Sequence, residues 1–317
     1  MFKKIAVGIS GGVDSSVAAL LLKRANYKVE GVFMRNWDSN YEVGSCSDEK
    51  DFEDASFVCR KLDIPLHRVH FIKEYWNDVF TVLLKEYETG LTPNPDILCN
   101  RYIKFDSFFE HCRNNLEVDA IATGHYANTS FGPFLENYLE NEGVKLLRPV
   151  DKHKDQTFFL SQVKQFSLRK CMFPIANLMK SEVRDLARKE GLLPVADKKD
   201  STGICFIGKR RFKDFIDDVS GTSHPALWNN ICISDKPHWI NEVPEELNDN
   251  NVLNCTFRFQ HTKPLEPCRI VNNPEGLTII LNNSLRALTE GQFACFYRGD
   301  ECLGSAKIKH VCHNLVY

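Results

Sequence analysis

At 317 residues the chain is too long for one small module, and about one domain per 150 residues gives two packed units. Hydrophobic residues at 43% and charged residues at 26% can bury sizeable cores, which excludes global disorder. Forty Lys plus Arg against 42 Asp plus Glu leave a net charge of -2, so any RNA must be met by a local patch rather than a global basic field.

Residues 1 to about 126 alternate strand-like and helix-like patterns, with strands over 5–9, 29–34, 66–71 and 119–123 and helices over 15–25 and 48–62. Repeated βα units predict an α/β fold with a parallel, Rossmann-like sheet covered by helices. The Gly- and Asn-rich stretch 128–143 reads as an exposed loop or hairpin, and helices are expected over 155–165, 180–190 and 212–219. Residues 219–254, rich in Ser, Asn, Asp and Pro, read as a linker with short ordered pieces. Short strand candidates over 255–260, 268–271, 277–282, 293–297 and 302–309 predict a small antiparallel β-barrel. The expected division is 1–215, a linker at 216–250 and a barrel at 251–317. No apolar run approaches the roughly 18 to 20 residues that cross a bilayer, so no membrane partner is expected. Met1, Lys3 and Lys4 lead at once into the first strand, with no room for a clear presequence. None of the twelve cysteines is spaced C-x-x-C, which argues against a structural metal and for reduced thiols.

The strongest local signal lies between the first strand and the first helix: Gly8, Ile9, Ser10, Gly11, Gly12, Val13, Asp14, Ser15 and Ser16. Glycines let backbone N–H groups approach phosphate oxygens, hydroxyls add donors, and the helix start adds its positive dipole end. The G-K-[ST] ending of a Walker A loop is absent. The pattern resembles the pyrophosphate loop of enzymes that cleave ATP between the α and β phosphates to adenylate an oxygen, a likeness that implies ATP as cosubstrate and Asp14 as a Mg²⁺ ligand.

Two cysteines differ from the rest. Cys99 ends Thr92-Pro93-Asn94-Pro95-Asp96-Ile97-Leu98-Cys99, three residues after an acid, and Cys205 lies in Ser201-Thr202-Gly203-Ile204-Cys205-Phe206-Ile207-Gly208. Both sit among turn residues, and a thiol near a basic group or a helix start becomes a nucleophilic thiolate. Cys59, Cys112, Cys171 and Cys295, with apolar neighbours, read as inert core thiols.

With these motifs the chain closely resembles the tRNA-specific 2-thiouridylases, over residues 1 to about 215 and again from about 224 to 309. Matching stretches include Gly31 to Met34 with Asn36-Trp37-Asp38, Ala122 to Tyr126, and Lys154 to Leu160. The end of the chain, 291–304, is more similar to the mitochondrial branch than to the bacterial one, which implies a mitochondrial location. The resemblance implies 2-thiolation of the wobble uridine of tRNA. The C2 oxygen is adenylated, and sulfur then displaces AMP. Cys205 would carry a persulfide received from a sulfur-donor protein. Cys99 would either attack the base or cleave the persulfide, with a Cys99–Cys205 disulfide closing turnover. Asp96 would act as general acid or base. Met34 and Gly124 would border the nucleotide; Asn94, Pro95, Asp96, Lys154, Asp155, Gln156, Arg258 and Phe259 would contact tRNA. The protein is expected to act as a monomer. Lys152, His153, Lys154, Lys198, Lys199, Lys209, Arg210 and Arg211 form basic clusters beside both sulfur motifs, as RNA docking requires.

Between Asp217 and His224 the chain lacks roughly sixty residues that the family carries as a small central domain, about the lower limit of a domain, as a splice variant or gene-model deletion would leave it. Three readings stand: an active thiolase, another adenylating synthetase, which would not need two motif cysteines, and a catalytically weak form that binds ATP or tRNA. An iron-sulfur thiolase would need clustered cysteines, and C-x-x-C is absent.

Overall fold

A computed structural model of the chain describes residues 2–37, 47–199 and 228–312. Cys205 and its motif, the expected helix 212–219 and the basic residues Lys209, Arg210 and Arg211 lie outside the described residues.

Five parallel strands form the first sheet in the order β3-β2-β1-β4-β7: β1 Lys4–Gly8, β2 Lys28–Arg35, β3 Leu66–His70, β4 Ala120–Ala122 and β7 Cys171–Met172. β1 and β4 are almost wholly buried, as apolar strands covered on both faces must be. The strand order reverses at β1, which opens a crevice beyond the carboxyl ends of β1 and β4, the usual ligand position in such sheets. Helix α1, Val13–Arg24, follows β1 directly, with Asp14 in its first turn and Lys23 and Arg24 in its last, so both ends complement the helix dipole. Asn26 closes it at a φ of 62°. Helix α2, Ser47–Leu62, follows β2.

The second sheet contains a closed six-stranded barrel of β8 Trp228–Ser234, β10 Val252–Arg258, β11 Glu266–Asn273, β12 Gly276–Arg286, β13 Phe293–Arg298 and β14 Glu301–Cys312, with β13 pairing β14 to close the ring. β9 His238–Trp239 pairs with β14. Alternation along β13 serves two cores. Ala294 and Phe296 join the barrel interior, and Phe293, Cys295 and Tyr297 join the core of the first unit.

Three expectations change. Trp228–Ser234, inside the stretch read as a linker, is a barrel strand paired with both β12 and β14. Its flanking Asn, Ser, Asp and Pro residues hide the apolar alternation. Of the loop or hairpin expected over 128–143 the hairpin holds, but it is not simply exposed: β5 Asn128–Thr129 pairs with β6 Leu146–Leu147, Phe131 and Leu135 are buried, and β6 continues onto β14 of the barrel. The helix expected over 155–165 is only two short turns, Thr157–Leu160 and Gln165–Leu168. Asp155 Oδ1 accepts from both the backbone N–H (3.0 Å) and the hydroxyl (2.6 Å) of Thr157, a local arrangement that competes with helix propagation.

Candidate functional site

The loop from β1 into α1 forms a cradle whose side chains turn inward. Ile9, Val13 and Ser15 are buried. The Ser15 and Ser16 hydroxyls donate to the Gly12 carbonyl at 3.1 and 2.8 Å, so they brace the loop rather than reach outward, while Ser10 is exposed. The first backbone N–H groups of any helix lack intrahelical partners, and those of α1 follow directly on this loop. Gly11 has a φ of +71°, and a Cβ there would collide with the Asp51 carbonyl. A Cβ at Gly124 would lie 2.5 Å from Ser15 N, so this glycine lets the loop after β4 close against the start of α1. Met34 on β2 places its methyl beside Gly8, 3.3 Å from where a Cβ would stand. The residues from Gly8 to Ser15, Met34 and Gly124 are thus one contiguous locus.

Sequence reasoning missed the residues that complete this locus. Lys180 opens the helix Lys180–Lys189, and its Nζ donates to Asp14 Oδ1 and Oδ2 at 2.7 and 2.8 Å, while the Tyr126 hydroxyl donates to Asp14 Oδ1 at 3.1 Å. Lys198, read as part of an RNA-facing cluster, instead donates to the Gly11 carbonyl at 3.0 Å and to Asp51 and Asp54, each at 2.6 Å. Asp14 is therefore a carboxylate already facing a cation at a phosphate-type cradle. One carboxylate beside substrate phosphates is an arrangement that suits Mg²⁺.

Cys99 lies on a continuous helical run, 95–115, made of Pro95–Leu98, a wide π-type stretch Cys99–Ser107, and Phe108–Asn115. Asn94 caps it by accepting from Ile97 N–H at 3.2 Å, and Pro95 supplies the first-turn φ. π-turns inside helices recur at functional sites. Here one begins at Cys99, which is buried. Burial raises the Asp96 carboxyl above its ordinary range, against the opposing influence of Lys104 and His261. His125, in the loop after β4, is pushed well below its ordinary value by burial and by Lys104, and it bonds the Thr123 hydroxyl at 2.8 Å. The helix thus spans from the barrel side at Asn94 to the nucleotide side at Phe108, whose ring packs by Gly8.

A cavity of about 230 Å³ lies at the Asn94 end, between Thr92, Pro93 and Asn94 on one side and Phe159, Phe259 and His261 on the other. The His261 ring stacks on Phe159 at 4.7 Å and its Nε2–H donates to the Asp155 carbonyl at 2.7 Å, which fixes the tautomer. The expected tRNA contacts divide. Asp155 and Arg258 are 1% and 5% exposed and lie together at 3.5 Å, with Arg148 Nε on Asp155 at 2.7 Å, so in this arrangement they join the two units rather than present a surface to RNA. Gln156 holds Tyr126 through paired bonds of 2.8 and 2.9 Å, and Lys154 is half-buried. Phe259 walls the cavity.

Cys59, Cys112, Cys171 and Cys295 are core thiols as expected, with burial pushing Cys59 up to about 11 and Cys295 up to about 12. Among the described residues no group of three or more His, Cys, Asp or Glu could hold a metal ion by itself.

Comparison with known proteins gives the family. Residues 3–209 match the model described as tRNA methyl transferase HUP domain, and residues 229–308 match the aminomethyltransferase beta-barrel domain. The mitochondrial tRNA-specific 2-thiouridylase 1 of Drosophila melanogaster is 43% identical over 97% of this chain and 94% of its own length. The human counterpart is 42% identical over 96% and 90%. The chain belongs to the tRNA-specific 2-thiouridylase family. The likeness reaches the bacterial 2-thiouridylase of Alkaliphilus oremlandii, at 37% identity over 97% of both chains. The alignment to the fly 2-thiouridylase spans 366 positions, more than the 317 residues of this chain, so that relative carries residues this one lacks.

Proposed function

We propose that this protein 2-thiolates the wobble uridine of tRNA in mitochondria, with ATP as the activating cosubstrate, as the names of its relatives suggest. The observation that carries the reading is the single helix that bears Asn94, Asp96 and Cys99 beside an aromatic-walled cavity and ends against the nucleotide loop. ATP lies along the cradle Gly8 to Ser15, bordered by Met34 and Gly124, with its phosphates near Lys180 and Lys198. Mg²⁺ when bound neutralises phosphate charge, and Asp14 would hold it. The flipped uracil enters the cavity between Asn94 and Phe259. Asp96, raised by burial, can hold a proton there and move it as the C2 oxygen is exchanged. Adenylation makes that oxygen a leaving group, and sulfur carried as a persulfide on Cys205 by a donor protein replaces it while Cys99 acts as nucleophile. Lys154 and Gln156 belong to the tRNA-facing rim, and the protein acts as a monomer.

A second reading, a form that binds ATP and tRNA without efficient turnover, is favoured by the residues the fly relative has in excess. Single-turnover thiolation of an unmodified tRNA with ATP, Mg²⁺ and a persulfide-loaded sulfur-donor protein decides between them. Thiolated uridine that requires ATP and disappears in Cys99→Ser or Cys205→Ser supports the active thiolase. Tight ATP binding with no product supports the binding form.

A further inference from the structure

The barrel carries a pair of thiols that the chemistry above does not use. Cys255 on β10 and Cys268 on β11 stand directly opposite each other in the antiparallel register, and one thiol donates to the other across 3.5 Å. Side chains two apart on a strand share a face, so Cys255 points with buried Leu253 and Phe257, and Cys268 with buried Ile270. Cys268 is itself buried, whereas Cys255 is only half-buried. Two residues further along the same faces, Phe257 and Glu266 line a second hollow of about 230 Å³, rimmed by Lys263 and Arg286.

Directly opposed residues on antiparallel strands keep their Cα atoms about 4.5 to 5.5 Å apart. A disulfide spans about 4.4 to 6.8 Å between Cα atoms, so side-chain rotation alone can join this pair. The two sulfurs are also chemically unequal. The hydrogen bond with Cys255 and its own burial push the Cys268 thiol well above the ordinary range. The more open Cys255 is the sulfur a solute reaches first.

We propose that Cys255 and Cys268 form a redox modification site, closing a reversible disulfide across β10 and β11 when the protein meets a peroxide. The Cys255 sulfur attacks the O–O bond of hydrogen peroxide, gaining oxygen as a sulfenic acid while one water leaves. The Cys268 sulfur then attacks the Cys255 sulfur, the S–S bond forms as the S–O bond breaks, and the hydroxyl departs with the Cys268 proton as a second water. The protein gives up two electrons and two hydrogens, and a dithiol reductant restores them. The bond pins the strand pair immediately before Arg258, which clasps the two units, and Phe259, which walls the cavity.

The test is thiol mapping of the reduced full-length chain after graded hydrogen peroxide, alkylation and digestion. It needs neither ATP nor tRNA, so its outcome is independent of the proposed thiolation. The expected product is a Cys255–Cys268 linked peptide pair, two hydrogens lighter than the reduced peptides together. It forms before Cys59, Cys112, Cys171 or Cys295 reacts, and it is lost with dithiothreitol. In Cys255→Ser that link disappears and Cys268 remains alkylatable after denaturation. Cys268 linked instead to Cys232, irreversible oxidation of Cys255 without a link, or both thiols free at doses that oxidise other cysteines would overturn the proposal. Because the wild-type map carries the result, a variant that folds poorly does not blunt it.

Discussion

Asp14 and Lys180, 166 residues apart in sequence, share two hydrogen bonds of 2.7 and 2.8 Å at the start of α1. The ammonium occupies the carboxylate where the phosphates and their cation would come to lie. Asp14→Asn and Lys180→Met should each weaken ATP binding roughly tenfold or more, about 1.4 kcal/mol. As members of one unit, they should cost little more together than singly. Calorimetric titration with ATP and Mg²⁺ checks this, and fully additive losses would show that the two side chains act separately.

Gly124→Ala tests the closure of the β4 loop on α1. A methyl 2.5 Å from Ser15 N meets backbone that cannot swing away. Overpacking of this kind costs about 1 to 3 kcal/mol. A lower thermal midpoint should accompany weakened ATP affinity, whereas an unchanged affinity would mean that the cradle tolerates a shifted α1.

Asp96 should set an alkaline limb in the thiolation rate. Its carboxyl is raised by burial, so the protonated acid persists above the usual carboxylate range and is lost as pH rises through the raised value. Lys104 pulls that value down. Lys104→Met should therefore move the limb of kcat to higher pH, and Asp96→Asn should remove it with a loss of about 10²- to 10⁴-fold. A limb that stays in place in Lys104→Met assigns it to another group.

Arg258→Ala should destabilise the junction of the two units. Asp155 would remain buried with Arg148 as its surviving cation, and breaking a buried pair from one side costs about 3 kcal/mol. Urea unfolding of Arg258→Ala, Asp155→Asn and the double variant measures the coupling. Additive losses would show that the pair is not a clasp.

The parts of this molecule legible from sequence are those written by neighbours in the chain. β1, the glycine loop and α1 occupy one unbroken stretch whose apolar strand, Gly-Gly turn and dipole-matched helix all agree, and the structure begins each within about two residues of its expected place. The helix start just before Asp96 and Cys99 was legible for the same reason, since Asn94 and Pro95 fix it, although Cys99 itself is buried on the helix rather than set in a turn. Lys180 and Lys198 were not. Lys180 carries no local signal and Lys198 reads as part of an RNA-facing cluster, and the role of each exists only once the fold brings it across 166 or 187 residues to Asp14 or Gly11. The hairpin of β5 and β6 was open as a reading, but its bounds and its pairing with the barrel were not legible because two-residue strands carry no period, and Arg258 read as an RNA contact because nothing local reveals that Asp155 waits beneath it.

The hairpin of β5 and β6 belongs to the first half of the chain yet lays its edge along β14. The barrel's outer wall is thus upholstered by its neighbour, and Phe293, Cys295 and Tyr297 are left facing that neighbour's interior. A recombination event that moved residues 228–312 alone would strip one strand of its mate and wet three core side chains at once, so a substitution on either side of this seam is felt by both halves.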